Sequence, residues 1–103
     1  MVTLGVLIEW LESKPQHAVI SVGFGEASSY RGDYRDVAFE PKSDATIGEM
    51  LRHAKDALDQ TFEGYKGGFY TMHKDVECHI AEWGVSGDCK ISSLVLKLWE
   101  SQI

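Results

Sequence analysis

Tyr30, Arg31, Tyr34 and Arg35 place two phenol rings and two guanidinium groups within six residues, inside a segment from Gly23 to Pro41 that is rich in glycine and serine. A guanidinium offers a planar fork that matches phosphate or carboxylate oxygens, and an aromatic ring offers a face on which a base can stack. Ser28 and Ser29 add small hydroxyl donors, while Gly23, Gly25 and Gly32 permit close backbone approach. A second run, Gly64 to Tyr70, repeats the recipe: Tyr65 supplies a ring, Lys66 a cation, and Gly64, Gly67 and Gly68 the space. These types and spacings predict a ligand-binding set of Ser29, Tyr30, Arg31, Gly32, Tyr34, Arg35, Tyr65, Lys66 and Gly67. The ligand they suit is small, flat, anionic and nucleotide-like. The opposing reading of the same residues is architectural. In it Tyr30 and Tyr34 pack over a sheet edge, Arg31 pairs with Asp33 or Asp36, and GYKGG merely joins two strands.

No catalytic residue is expected. Neither a nucleophile elbow, an HExxH helix nor a paired Cys and His motif can be read in the chain. GYKGG lacks the spacing and the Lys-Ser or Lys-Thr ending of a phosphate-binding loop, and Gly23-Phe24-Gly25 does not continue into a dinucleotide fingerprint. Asp33, Asp36 and Glu40 could serve as general acids or bases only inside a defined pocket, and exposed carboxylates ordinarily just solvate a surface. His73, Cys78, His79 and Cys89 match no zinc-ligand spacing, and the adjacent pair Cys78 and His79 would point to opposite faces of a strand. The expectation is one packed thiol, one surface imidazole, no metal and no cofactor. A formal charge of −6 disfavours long nucleic acid, whose phosphates need a basic surface. A small anion needs only a local cation cluster, and Arg31, Arg35, Lys42, Arg52, Lys55 and Lys66 all lie in or beside the central third.

Holding such loops requires a scaffold, and the hydrophobic pattern predicts one. Thr3 can cap a helix whose Leu4, Leu7, Ile8 and Leu11 fall on one stripe, with Trp10 widening that face or meeting another subunit. Beyond Pro15, Ala18 to Phe24 reads as a strand, Gly25 to Tyr34 as the first loop, and Asp36 to Glu40 as a short strand closed by Pro41. Thr46 and Glu49 spell a capping box, opening a second helix with Ile47, Met50, Leu51, Ala54 and Leu58 at helical period. Phe69 to Met72 is a further strand. Val76, Cys78 and Ile80 alternate as another, although a helix is an open alternative there, and Ile91 to Glu100 fits a short C-terminal helix. The predicted class is α+β: a small antiparallel sheet of about four strands with three helices, in the order α-β-β-α-β-β-α.

At 103 residues, with 44% hydrophobic and 25% charged residues, the chain has the length and composition of one domain spanning residues 1–103. Its apolar stretches are too short to cross a bilayer, and the N-terminus shows no secretory leader, so a cytoplasmic protein with free thiols is expected. Burying one sheet face against a second copy would add stability to so small a core, which makes a homo-oligomer an expected partner state.

Three blocks, SYRGDYRDVAFEP (Ser29 to Pro41), TIGEML (Thr46 to Leu51) and GYKGGFYTM (Gly64 to Met72), resemble a pattern found in small uncharacterised bacteriophage proteins. The resemblance implies a phage or prophage origin and a life in the host cytoplasm. In size and apparent binding loops the chain is also similar to phage anti-defence proteins that act as sponges for nucleotide signals. That analogy implies a function: sequestering a nucleotide-like anionic signal without catalysis. The alternatives are an acidic protein-interaction module that inhibits a host protein, or a small nucleotide hydrolase.

Overall fold

A computed structural model describes residues 2–29, 36–58, 61–63, 69–71, 73–80 and 89–103. The elements in chain order are α1 (Leu4–Glu12), β1 (Val19–Ser29), β2 (Asp36–Thr46), α2 (Ile47–Ala57), β3 (Thr61–Glu63), β4 (Phe69–Thr71), β5 (Glu77–Ile80), β6 (Cys89–Lys90) and α3 (Ser93–Glu100). The class is α+β, with three helices among the described residues, as the hydrophobic pattern predicts. The sheet differs from expectation. Its body is mixed: β1 pairs antiparallel with β2, β2 pairs parallel with β5, and the two-residue β6 lies along the far side of β5. Between β2 and β5 the chain passes through α2 and a separate antiparallel ribbon of β3 and β4. A parallel neighbour needs such a crossover, which is why the all-antiparallel sheet and the order α-β-β-α-β-β-α do not hold.

Helix α1 forms where its stripe demands it: Leu4, Leu7, Ile8 and Leu11 are all buried, and the Thr3 hydroxyl accepts a hydrogen bond from the Val6 amide at 3.3 Å. Its first amides are satisfied across space rather than by water. Leu4 N–H donates to Val76 O and Gly5 N–H to Lys74 O, at 2.9 and 2.8 Å, which ties the helix start to the chain entering β5. Helix α2 repeats the device, with Ile47 N–H bonded to Ala18 O and Gly48 N–H to Gln16 O. A Cβ at position 48 would stand 3.2 Å from that Gln16 oxygen, so the close approach depends on glycine. The capping box is half realised. Glu49 N–H donates to the Thr46 hydroxyl at 3.1 Å, but the Glu49 carboxylate turns to Lys42.

Both long strands overrun the sequence boundaries. β1 continues through Gly25 to Ser29, and β2 runs past Pro41 to Thr46, because Phe24 and Pro41 sit opposite each other at an irregularity in the ladder. Proline lacks the amide that a regular ladder needs, and an interruption of register accommodates it. Within β2, Asp44 takes a positive φ of 55°, a left-handed conformation that Asp tolerates better than most residues. On β5, Cys78 and His79 are both buried, so His79 is not the surface imidazole expected. Their side chains leave opposite faces of the strand, but both faces are covered, as is usual where a sheet pairs in parallel. In α3 the buried positions are Leu96 and Trp99, whereas Leu94 and Leu98 face solvent.

The core is centred on rings. Phe39 of β2 stacks on Phe24 of β1 with centroids 4.2 Å apart; Phe24 meets Trp99 of α3 at 5.9 Å, and Trp99 meets Trp10 of α1 at 6.0 Å. The Trp99 indole N–H donates to Val22 O at 3.0 Å, and Ser21 N–H donates to the Gln102 side chain at 2.8 Å, so the end of the chain caps exposed polar groups of β1. Such capping guards a strand against pairing with another chain.

Two substitutions test this packing. Trp99→Ala removes a ring that three elements share, and urea unfolding should show a loss of about 3–5 kcal/mol. At Gly23, an added Cβ would lie 2.8 Å from Met50 Sδ and 2.9 Å from Ala45 Cβ, so Gly23→Val should cost about 1–3 kcal/mol in the same assay. A Gly23→Val variant as stable as the parent would contradict the close seating of β1 on α2.

Candidate functional site

Of the residues predicted to bind ligand, Ser29 is the last residue of β1, its Cα paired with that of Val37. Tyr30, Arg31, Gly32, Tyr34 and Arg35, and in the second run Tyr65, Lys66 and Gly67, lie outside the described residues. What is described is how their flanks are held. β1 and β2 pair up to Ser29 and Val37, so the first run joins two strands that are hydrogen-bonded to each other. β3 and β4 pair up to Glu63 and Phe69, and the second run joins those. Each predicted loop therefore connects the strands of an antiparallel hairpin, and β3 approaches within 8 Å of β1, Cα to Cα.

Register creates a further feature at Gly25 and Glu26, which the sequence pattern assigns to the first loop and which belong to β1. Phe24 pairs with Pro41 and Ala27 with Phe39, so Gly25 and Glu26 on β1 stand opposite the single residue Glu40 on β2. This two-against-one arrangement is a β-bulge, which bends a strand, breaks the ladder and re-aims side chains. The bulge faces α2 across an open groove of about 390 Å³. Gly25 and Glu26 line it from β1, Glu40, Pro41 and Lys42 from β2, and Arg52 and His53 from α2. An adjoining hollow of about 240 Å³ shares Glu26 and His53 and is closed by Ala27 and Asp56. Arg52 and His53 reach the groove because they lie off the buried stripe of Met50, Ala54 and Ala57.

Charge in the groove is unevenly committed. Lys42 is bound to Glu49, and the hydrogen bond from its ammonium holds the Glu49 carboxyl below the usual carboxylate range. Partial burial opposes that shift, and the positive charges of Lys42, Arg52 and His53 add to it. Among the described residues, by contrast, no ion pair or side-chain hydrogen bond engages Arg52, His53, Glu26, Glu40 or Asp56. Cations and carboxylates thus line one concavity without closing on each other. No group of three His, Cys, Asp or Glu side chains that could hold a metal ion occurs among the described residues, and no helix among them is long and apolar enough to cross a membrane.

Sequence reasoning marked Lys42 and Arg52 as notable cations and Gly25 as a permissive position, but it did not join them to His53 or Glu26. The missing signal is the register, which depends on pairing between residues far apart in the chain. Comparison with protein-family models, curated proteins and solved structures finds no match to this chain.

The Lys42 and Glu49 pair generates a pH prediction. Because the folded pKa of Glu49 is depressed, its contribution to stability is present above the unfolded value near 4.5 and is lost as pH falls through the lower folded value. Lys42→Ala should return the Glu49 titration, followed by carbon-detected NMR of the carboxyl, toward the ordinary range. An unchanged titration would show that Lys42 is not the cause.

Proposed function

We propose that the chain is a small, non-catalytic binding protein that captures a nucleotide-like anion on the loops at the ends of its two hairpins. One observation carries the reading. The two segments that combine glycine, aromatic and cationic residues are each the link of a paired hairpin, and the two hairpins are neighbours in the fold. Tyr30, Tyr34 and Tyr65 would wall or stack on the ring, and Arg31, Arg35 and Lys66 would hold the phosphates. Such a ligand is compatible with net acidity, because a local cation cluster suffices. Taken with the resemblance to phage proteins, the reading extends to a homo-oligomer that sequesters a host defence signal in the host cytoplasm.

A second reading, an acidic module that docks on a host protein, draws on the charge of −6 and on exposed carboxylates such as Glu26 and Asp56. Calorimetric titration with cyclic dinucleotides and ADP-ribose, followed by heating to release the ligand, separates the possibilities. The binding reading expects saturable capture of at least one of these, recovered intact, and a loss of about tenfold or more in Arg31→Ala and in Lys66→Ala. Failure to bind any of them sinks it, and recovery of cleaved product would instead indicate hydrolysis. A stoichiometric protein partner that survives both substitutions would favour the second reading.

A further inference from the structure

The groove at the β-bulge has chemistry of its own, independent of the two loops. Its walls carry a guanidinium and an imidazole, Arg52 and His53, beside the carboxylates Glu26 and Glu40, none of them in an ion pair or side-chain hydrogen bond among the described residues. One lining cation is paired, Lys42 with Glu49, and on other parts of the described surface Lys14 binds Glu100, Lys55 binds Glu12 and Lys90 binds Glu77. Arg52, His53, Glu26 and Glu40, which line the hollow without pairing with one another, leave hydrogen-bonding capacity for a third party. The volume of about 390 Å³ lies at the lower end of ordinary small-ligand pockets and admits a mononucleotide-sized molecule. The bulge also takes Gly25 and Glu26 out of regular pairing, and the buried Gly25 contributes no side chain, so the backbone there can be approached closely.

We infer that this groove is a binding site for a small phosphate-bearing ligand whose other end presents paired N–H donors. Arg52 and His53 hold the phosphate, and Glu26 and Glu40 accept from the donors. A guanine mononucleotide has that pattern. Its N1–H and exocyclic amine both donate to a carboxylate, whereas adenine turns an acceptor toward the same group and is repelled. Asp56 closes the adjoining hollow and extends the accepting side. Because the site is built only from β1, β2 and α2, it stands whether or not the loops bind anything.

The test is an amide NMR titration of the full chain with guanosine monophosphate, adenosine monophosphate and inorganic phosphate as separate probes. Guanosine monophosphate should shift the amides of Gly25, Glu26 and His53 and bind about tenfold or more tightly than its adenine counterpart. Arg52→Gln should weaken the guanine and phosphate probes together by about tenfold, and Glu26→Ala should weaken only the guanine probe. Both substitutions are at exposed positions, and retained amide dispersion will verify folding. Arg31→Ala should leave these shifts unchanged, which separates the groove from the loops. Absence of groove shifts at millimolar guanosine monophosphate, equal affinity for the two nucleotides, or affinity indifferent to Arg52→Gln would each overturn the assignment.

Discussion

Contact between Trp99 and Phe24 is the interaction on which the rest of the structure depends, because it joins the last helix to the first strand and relays packing in both directions. Phe39 extends the run into β2 and Trp10 extends it into α1, so four aromatic rings connect both ends of the sequence to the sheet. Offset and tilted ring pairs contribute about 0.5–1.5 kcal/mol each beyond their buried area, and here they act in series. The indole N–H adds direction, since its bond to Val22 O fixes where α3 lies along β1. With β1 held, β2 follows through their long register, and β2 in turn positions β5 and the wall of the groove. The same clamp therefore sets the root of the first loop and the bulge behind it.

Helices were largely legible in the sequence and the sheet was not, for a physical reason. A helix is stabilised by contacts three or four residues apart, so Thr3, Leu4, Leu7, Ile8 and Leu11 carry their own evidence, as do Thr46, Ile47, Met50 and Ala54. Strand limits depend on a partner. Gly25 and Pro41 look like terminators in isolation, yet each is accommodated because the bulge absorbs the mismatch between them. The parallel union of β2 with β5 joins residues about forty positions apart and leaves no local trace. β3, three residues with a single ring at Phe62, is too short for any period to show. In α3 the apolar residues Leu94, Val95, Leu98 and Trp99 mark a helix, but of these only Trp99 is buried, and Leu96 joins it on the packed face. The candidate groove was half legible: Lys42, Arg52 and Glu40 stood out by type, while their meeting with Glu26 and His53 depends on register.

Four of the cations serve the fold. Lys14, Lys42, Lys55 and Lys90 join neighbouring elements through carboxylates on α3, α2, α1 and β5, respectively. Solvent screens exposed pairs of this kind, so they adjust the docking of elements more than they create it. Arg52 lines the groove without an ion pair among the described residues, and the proposals assign it, together with Arg31, Arg35 and Lys66, to ligand. Under those proposals, a local set of cations on an otherwise acidic chain would serve a compact anion. Such a chain is poorly suited to a polyanion, which would meet the repulsion of the remaining surface.

Native mass spectrometry of the intact protein, purified from cells that produce cyclic dinucleotides and other nucleotide signals, tests the central claim most directly because it reports subunit number and bound mass together. The account predicts an assembly carrying an intact nucleotide in fixed proportion to its subunits, with the ligand mass unchanged over time. A spectrum showing only unliganded protein under those conditions, or the mass of a cleaved product, would contradict it.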